Sequence, residues 1–278
     1  KYNPPFIDIT SHPAEMIYEE TPDGGVKIKV IRKRPGTLGI CALIQNKYNI
    51  DAVPHVLCTG FTREETEDFM IELHYLGIDN ILAIRGDDSN FKKPLKYGRS
   101  INTYAVDLIK QINDLNHGKY IEEGLLDAEP MNICVGTSGY PEKHFEAPNL
   151  LADIRYAKAK VDAGACYIVT QMFYDNKSYF NYVDLCRKEG INVPIIPGLK
   201  IITSLSQAYN IPKNFFVDIP TELVEELKNT KPEHAIEVGV NWTFKQVEEL
   251  MNKNVPAIHF YIMQNSNPFK MLMKKLGL

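Results

Sequence analysis

Several apolar runs in this sequence stop abruptly at polar residues, and those stops are where chemistry could be done. ILAIRGDD, residues 81–88, turns from Ile and Leu to Arg85, Gly86 and Asp87. Thr10 ends FIDIT, and His55 lies inside AVPHVLC. Ser138 and Tyr140 follow Thr137, Gln171 interrupts IVTQMF, Pro197 and Gly198 close another run, and Gln264 with Asn265 close the last. The set holds few strong acids or bases, with no Ser-His-Asp order at workable spacing and no HExxH. Amides, hydroxyls, one Asp and a glycine turn suit a planar heteroaromatic ring that needs paired donors and acceptors. That points to an enzyme whose organic cofactor performs the hard step. A divalent metal at Glu142, His144 and Glu146 of PEKHFE is the alternative, although a second His or Cys would normally assist. Each position also has a structural alternative. His55 and Tyr104 could be core residues, Gln171 could bond a neighbouring backbone group, and Arg85 could pair with Asp87.

The elements that must position these residues alternate along the chain. Strands are expected over 6–10, 52–58, 80–84, 132–137, 167–173, 193–197 and 257–262. Most are continuously apolar, the pattern of parallel strands buried on both faces. Helices are expected over 62–76, 149–163 and 176–189, each closed by a glycine (Gly77, Gly164, Gly190). The first opens with Thr62 and Glu65 in capping-box spacing. LGIDNIL, AGACYIV and EGINVPI repeat one helix-to-strand junction.

Seven strands and their helices approach the eight of a (β/α)₈ TIM barrel. An open doubly wound sheet is the rival, but no glycine-rich dinucleotide fingerprint follows any strand. The expectation is α/β, with residues 1–278 as a single (β/α)₈ domain whose first strand and helix precede Lys1. EMIYEETPDGGVKIKVIRKRP breaks the rhythm with period-two alternation, giving a β-hairpin insertion near residues 15–34.

Bulk properties narrow the class. The 278 residues carry a net charge of −4 at pH 7, so nothing draws the chain to nucleic acid. The basic run 27–34 reads as the wet face of a strand. Cys41, Cys58, Cys134, Cys166 and Cys186 form no CxxC pair and mostly sit in apolar runs, as reduced, buried thiols of a cytoplasmic protein would. No apolar run spans a bilayer and no signal-peptide pattern opens the chain, so no membrane partner is expected.

AVPHVLC, LGIDNILAIRGD, SGYPEKHFEAP, KVDAGACYIVTQMFYD and VPIIPGLKIITS, in this order, resemble the flavin-dependent methylenetetrahydrofolate reductases, in their bacterial-type catalytic domain. The resemblance runs from Phe6 to the end. It implies a (β/α)₈ barrel with FAD at its carboxyl face. Hydride would pass from NAD(P)H to FAD, then to 5,10-methylenetetrahydrofolate, giving 5-methyltetrahydrofolate in one-carbon metabolism toward methionine. It implies FAD contacts at Thr10, His55, Arg85, Gly86, Asp87, Tyr104, Ala105, Tyr140, His144, Asp153 and Lys160. Asp87 would act beside the flavin, and Gln171 would read the pterin amide edge. Leu205 stands where relatives stack an aromatic on substrate. Ser11 and His12 are not carried over, because the hairpin replaces a shorter loop. The family's general acid, a Glu on the first strand, has no counterpart motif here and is expected before Lys1. Two alternatives are a metal-dependent barrel hydrolase or aldolase and a non-catalytic flavin- or folate-binding subunit. A homo-oligomer is left open.

Overall fold

The computed structural model describes residues 2, 4–11, 15–31, 35–86, 97–263 and 265–278. The chain divides into two compact units, residues 1–137 with 162–166, and residues 138–161 with 167–278. Seven parallel strands alternate with helices along it, in an α/β fold of the TIM-barrel type.

In the first unit β1 (Phe6–Ile9) pairs in parallel with β4 (Asp51–Leu57), which pairs with β5 (Asn80–Ile84), which pairs with the start of β6 (Cys134–Gly139). Between β1 and β4 lie a hairpin, β2 (Glu15–Glu20) with β3 (Val26–Ile31), and α1 (Thr37–Tyr48). The hairpin turn closes through the Thr21 and Gly24 amides, which donate to the Gly25 and Thr21 carbonyls. α2 (Arg63–Tyr75) follows β4, and α3 (Ala105–Leu115) lies between β5 and β6. The expected capping box is present at α2. Thr62 Oγ1 accepts from the Glu65 amide at 3.2 Å, and Glu65 Oε2 accepts from the Thr62 amide at 2.9 Å.

The core of this unit is what the apolar runs require. Ala52, Val53, Val56, Ile81, Leu82 and Ala83 are buried, and so are Leu108, Ile109 and Ile112 on one stripe of α3. That stripe recurs every three to four residues, the spacing of a helix packed by one face. Thr137 Oγ1 adds a strand-to-strand bond to the Ala83 carbonyl at 3.2 Å.

The second unit contains α4 (Leu150–Asp162), apart from its last residue, and β7 (Tyr167–Met172). It continues with α5 (Asn176–Lys188), β8 (Ile195–Leu199), α6 (Leu205–Phe215), α7 (Thr221–Lys228), α8 (Ala235–Asn252), β9 (His259–Phe260) and α9 (Asn267–Lys275). β7 pairs with β8 and β8 with β9, all parallel. Side chains lock the strands together. The Tyr261 hydroxyl donates to the Thr170 carbonyl at 2.8 Å, and Thr170 Oγ1 accepts from the Gly198 amide at 2.9 Å. α8 fixes the segment after β7. Trp242 Nε1 donates to the Tyr174 carbonyl at 2.9 Å and Gln246 Nε2 to the Phe173 carbonyl at 3.2 Å.

Two expectations are revised. The last strand, expected over 257–262, is shorter and pairs at His259–Phe260, with the Tyr261 amide still donating to the Leu199 carbonyl. The cysteines are all free, yet Cys166 is exposed rather than buried, since it stands in the turn between α4 and β7. Among the described residues no helix is long and apolar enough to cross a membrane.

Candidate functional site

The candidate residues fall into two groups, one in each compact unit. In the first unit they gather at the carboxyl ends of β1, β4 and β5. Thr10 follows β1, and its carbonyl accepts from Thr37 Oγ1 at 3.4 Å. His55 is half-buried in β4, opposite Leu82 of β5. Arg85 and Gly86 follow β5. The Arg85 carbonyl takes the Thr59 amide at 2.9 Å, so the loops after β4 and β5 are tied together.

Gly86 has φ +86°, a left-handed conformation that side-chain-bearing residues rarely adopt. A Cβ there would meet Thr59 at 3.4 Å, an ordinary contact, so conformation and not crowding selects glycine. The glycine of the RGD turn is therefore required by backbone geometry. Asp87 lies outside the described residues, and so does any Arg85–Asp87 pairing. Burial pushes the neighbouring Cys58 thiol up to about 12, so it is no nucleophile.

Tyr104 and Ala105 stand at the start of α3. Tyr104 is 56% exposed, so it is not helix core. The Asp107 carboxylate accepts from the Tyr104 amide at 3.0 Å, fixing the entry to the helix. Asn102 and Gln111 were not singled out by sequence. Buried, they bond each other at 2.7 Å, and Gln111 Nε2 donates to the Arg63 carbonyl at 2.7 Å. They tie the approach to α3 onto the start of α2, and only the amide character of two residues nine apart hinted at it.

In the second unit the loop after β6 is tightly bonded. Tyr140 and Ser138 share a hydroxyl hydrogen bond at 3.2 Å. The His144 amide donates to Asp153 Oδ2 at 3.1 Å, from the first turn of α4. Lys160, two turns further along α4 and on the same face, donates to the Ser138 carbonyl. Burial pulls Lys160 down to about 8, partly opposed by Asp153. Burial raises Asp153, partly offset by the His144 amide and Lys160. The two charges therefore hold the loop from both ends.

His144 Nδ1 accepts the Glu146 amide at 3.3 Å, and its ring meets the edge of Tyr140 with centroids 4.7 Å apart. Phe145 continues the aromatic run and stacks on Phe216 at 4.9 Å. Both Phe rings are about half exposed, an aromatic face that sequence alone did not reveal.

The metal alternative does not assemble here. Glu142 Oε2 accepts the Asp218 amide at 2.7 Å, while Glu146 stands 3.8 Å from His144. Among the described residues no three His, Cys, Asp or Glu side chains form a metal-holding group.

Gln171 is half-buried in β7, and its Oε1 accepts the Met172 amide at 3.0 Å. Leu205 opens α6, whose N-cap Ser204 accepts from the Gln207 amide at 3.3 Å. The Leu205 side chain is partly buried against a core cluster that includes Met172, Tyr174 and Ile211. A cavity of about 380 Å³ lies at the ends of β8 and β9, lined among others by Lys200, Thr203, Gln207, Tyr261 and Phe269. Within the second unit these groups offer hydroxyls, amides and aromatic faces, the chemistry that suits a flat, polar heterocycle.

Comparison with known proteins gives the family. The methylenetetrahydrofolate reductase family model matches residues 1–277. Methylenetetrahydrofolate reductase 1 of Schizosaccharomyces pombe is 33% identical over 247 residues, covering 87% of this chain and 38% of that protein. The 5,10-methylenetetrahydrofolate reductase of Salmonella typhimurium is 31% identical, covering 88% of this chain and 76% of the relative. The chain thus spans well under half of the fission-yeast protein and about three quarters of the bacterial one. A Clostridium thermocellum protein described as binding two copies of 5-methyl-5,6,7,8-tetrahydrofolic acid shares the fold. Its TM-score is 0.56 at 14% identity, over 98% of this chain and 82% of that one. The chain belongs to the methylenetetrahydrofolate reductase family.

Proposed function

We propose that residues 1–278 act as the catalytic domain of an FAD-dependent oxidoreductase that reduces 5,10-methylenetetrahydrofolate to 5-methyltetrahydrofolate with NAD(P)H. The two substrates would be used in separate half-reactions, in the cytoplasm. The observation that carries this is the family match across residues 1–277. Bound FAD would supply reversible acceptance and donation of hydride, chemistry that no side chain described above can perform.

The residues present fit such a group. The exposed Phe145 and Phe216 rings offer an aromatic face, and the Tyr140 and Ser138 hydroxyls and Lys160 offer polar contacts beside it. In the first unit Thr10, His55, Arg85, Gly86, Asp87, Tyr104 and Ala105 are assigned to FAD, and in the second Tyr140, His144, Asp153 and Lys160. The open turn at Gly86 lets backbone approach a ligand without a side chain intervening. A carboxylate at Asp87 disfavours retention of negative charge beside it and so favours hydride departure toward the folate. Gln171, its oxygen held by Met172, presents its NH₂ to a pterin carbonyl. Leu205 gives an apolar wall rather than an aromatic stack.

The test is spectroscopic. Denaturation of the purified protein should release FAD, and NADH or NADPH should bleach the bound chromophore under anaerobic conditions. A colourless protein that neither carries nor takes up flavin contradicts the reading.

A further inference from the structure

The five cysteines are not equivalent. Cys41, Cys58 and Cys186 are buried, Cys134 is half-buried and Cys166 is exposed. Cys134 and Cys166 belong to the same compact unit, although α4 lies between them in the chain.

Backbone pairing brings these two together. The Cys134 amide donates to the Asp79 carbonyl at 2.7 Å, while Cys134 itself pairs with Asn80. The Cys166 amide donates to the Val135 carbonyl at 2.7 Å, the same one-residue offset, which sets Cys166 beside Gly136. Alternation along a strand puts residues 134 and 136 on one face, and Gly136 contributes no side chain to it. The two thiols are hydrogen-bonded to each other. Burial pushes the Cys134 thiol up to about 12, and its Cys166 neighbour adds to the rise. Cys134 therefore stays protonated, and the exposed Cys166 is the sulfur that an incoming reagent meets first. The pair stands at the amino end of β6, beside the first residue of β5, and so at the other end of β5 from the Gly86 turn.

A thiol pair can hold a soft metal or be oxidised. Among the described residues no third His, Cys, Asp or Glu completes a metal-holding group. Two thiols within hydrogen-bonding reach need little movement to join, and exposed pairs are the labile, redox-responsive ones.

We propose that Cys134 and Cys166 are a redox-active dithiol, oxidised by small-molecule disulfides to an internal disulfide that closes the chain from β6 to the start of β7. The Cys166 thiolate attacks the disulfide RS–SR, forming a mixed disulfide and releasing RS⁻, which takes up the proton that Cys166 lost. Conversion of Cys166 to a neutral mixed disulfide removes its charge from beside Cys134. The Cys134 sulfur then attacks the Cys166 sulfur, its proton passing to the second departing RS⁻. Two protein thiols are oxidised, and one small disulfide is reduced to two thiols.

The test uses the full chain, reduced with dithiothreitol and then freed of it. Oxidised glutathione is added at neutral pH, and the protein is unfolded in iodoacetamide and digested for mass spectrometry. The parent should yield two peptides joined through Cys134 and Cys166, lighter by two hydrogens than the separate pair. Thiols counted after unfolding should fall from five to three, and dithiothreitol should restore all five. Cys134→Ser should stop at a glutathione adduct on Cys166, and Cys166→Ser should leave Cys134 unmodified in the folded protein.

A parent that remains fully reduced, or that stops at the Cys166 adduct, overturns the proposal, and so does a disulfide through Cys41, Cys58 or Cys186. These outcomes are read on the parent and need no variant to fold. Oxidation at this pair requires neither flavin nor folate, so its failure leaves the reductase reading intact.

Discussion

The two groups of candidate residues are built differently. In the second unit the loop after β6 is held by its own side chains. Asp153, only 6% exposed, grips the His144 amide, Lys160 grips the Ser138 carbonyl, and Tyr140 bonds Ser138. In the first unit the bonds described run through backbone groups, with the Arg85 carbonyl taking the Thr59 amide and the Asp107 carboxylate taking the Tyr104 amide. Tyr104 is 56% exposed, Thr10 is exposed, and the Gly86 turn is shaped by backbone conformation. Site residues in the second unit are thus also structural residues, whereas those in the first are positioned by the strands and helices beneath them. Substitutions in the second unit should cost stability first, and those in the first should cost ligand affinity or rate first.

The largest expected effect tests the second unit. Asp153→Ala strands the Lys160 cation and the His144 amide, and urea unfolding should show a loss of about 3 kcal/mol. A loss under 1 kcal/mol would remove the basis of the contrast. Next comes Asp87→Asn in the first unit. It should leave unfolding unchanged and FAD bound, but slow the folate half-reaction by about 100-fold in stopped-flow traces, more than the nicotinamide half-reaction. Equal slowing of both would make Asp87 a structural residue and blur the distinction.

A pH series sharpens the contrast further. The Lys160 pKa falls from 10.5 in the unfolded chain to about 8 in the folded one. Below pH 8 both states hold the proton, and the folded state bears the full cost of burying the charge. Between pH 8 and 10.5 only the unfolded state holds it, so stability should rise with pH across that window. The parent should gain about 1–2 kcal/mol relative to Lys160→Met there, and parallel profiles would contradict the burial argument. The smallest effect belongs to Tyr104→Ala. Thermal unfolding should move by less than about 0.5 kcal/mol, while flavin affinity, read by fluorescence quenching, should fall.

The parts of this design that were legible in the sequence are those set by local rules. The strand expected over 80–84 is Asn80–Ile84, and the helices expected over 149–163 and 176–189 are Leu150–Asp162 and Asn176–Lys188. Periodicity and closing glycines suffice for these. The Thr62–Glu65 box and the Gly24 turn follow from residue type and spacing in the same way. The glycine of RGD was legible as a turn, although Asp87 beside it lies outside the described residues.

Contacts between residues distant in sequence were not legible. Gln111 reaches Arg63 across 48 positions, and Phe145 reaches Phe216 across an even longer stretch of chain. Lys200 reads as an ordinary charged residue after a strand, and only the fold shows it half-buried at the wall of a cavity. No pattern in the chain announces which side chains meet across a fold.

The most direct measurement of the central claim is product identification. The protein, loaded with FAD and given NAD(P)H and 5,10-methylenetetrahydrofolate, should yield 5-methyltetrahydrofolate by mass spectrometry, with parallel double-reciprocal plots as either substrate is varied. Bound flavin that NAD(P)H reduces but methylenetetrahydrofolate never reoxidises, with no methyl product formed, would contradict it.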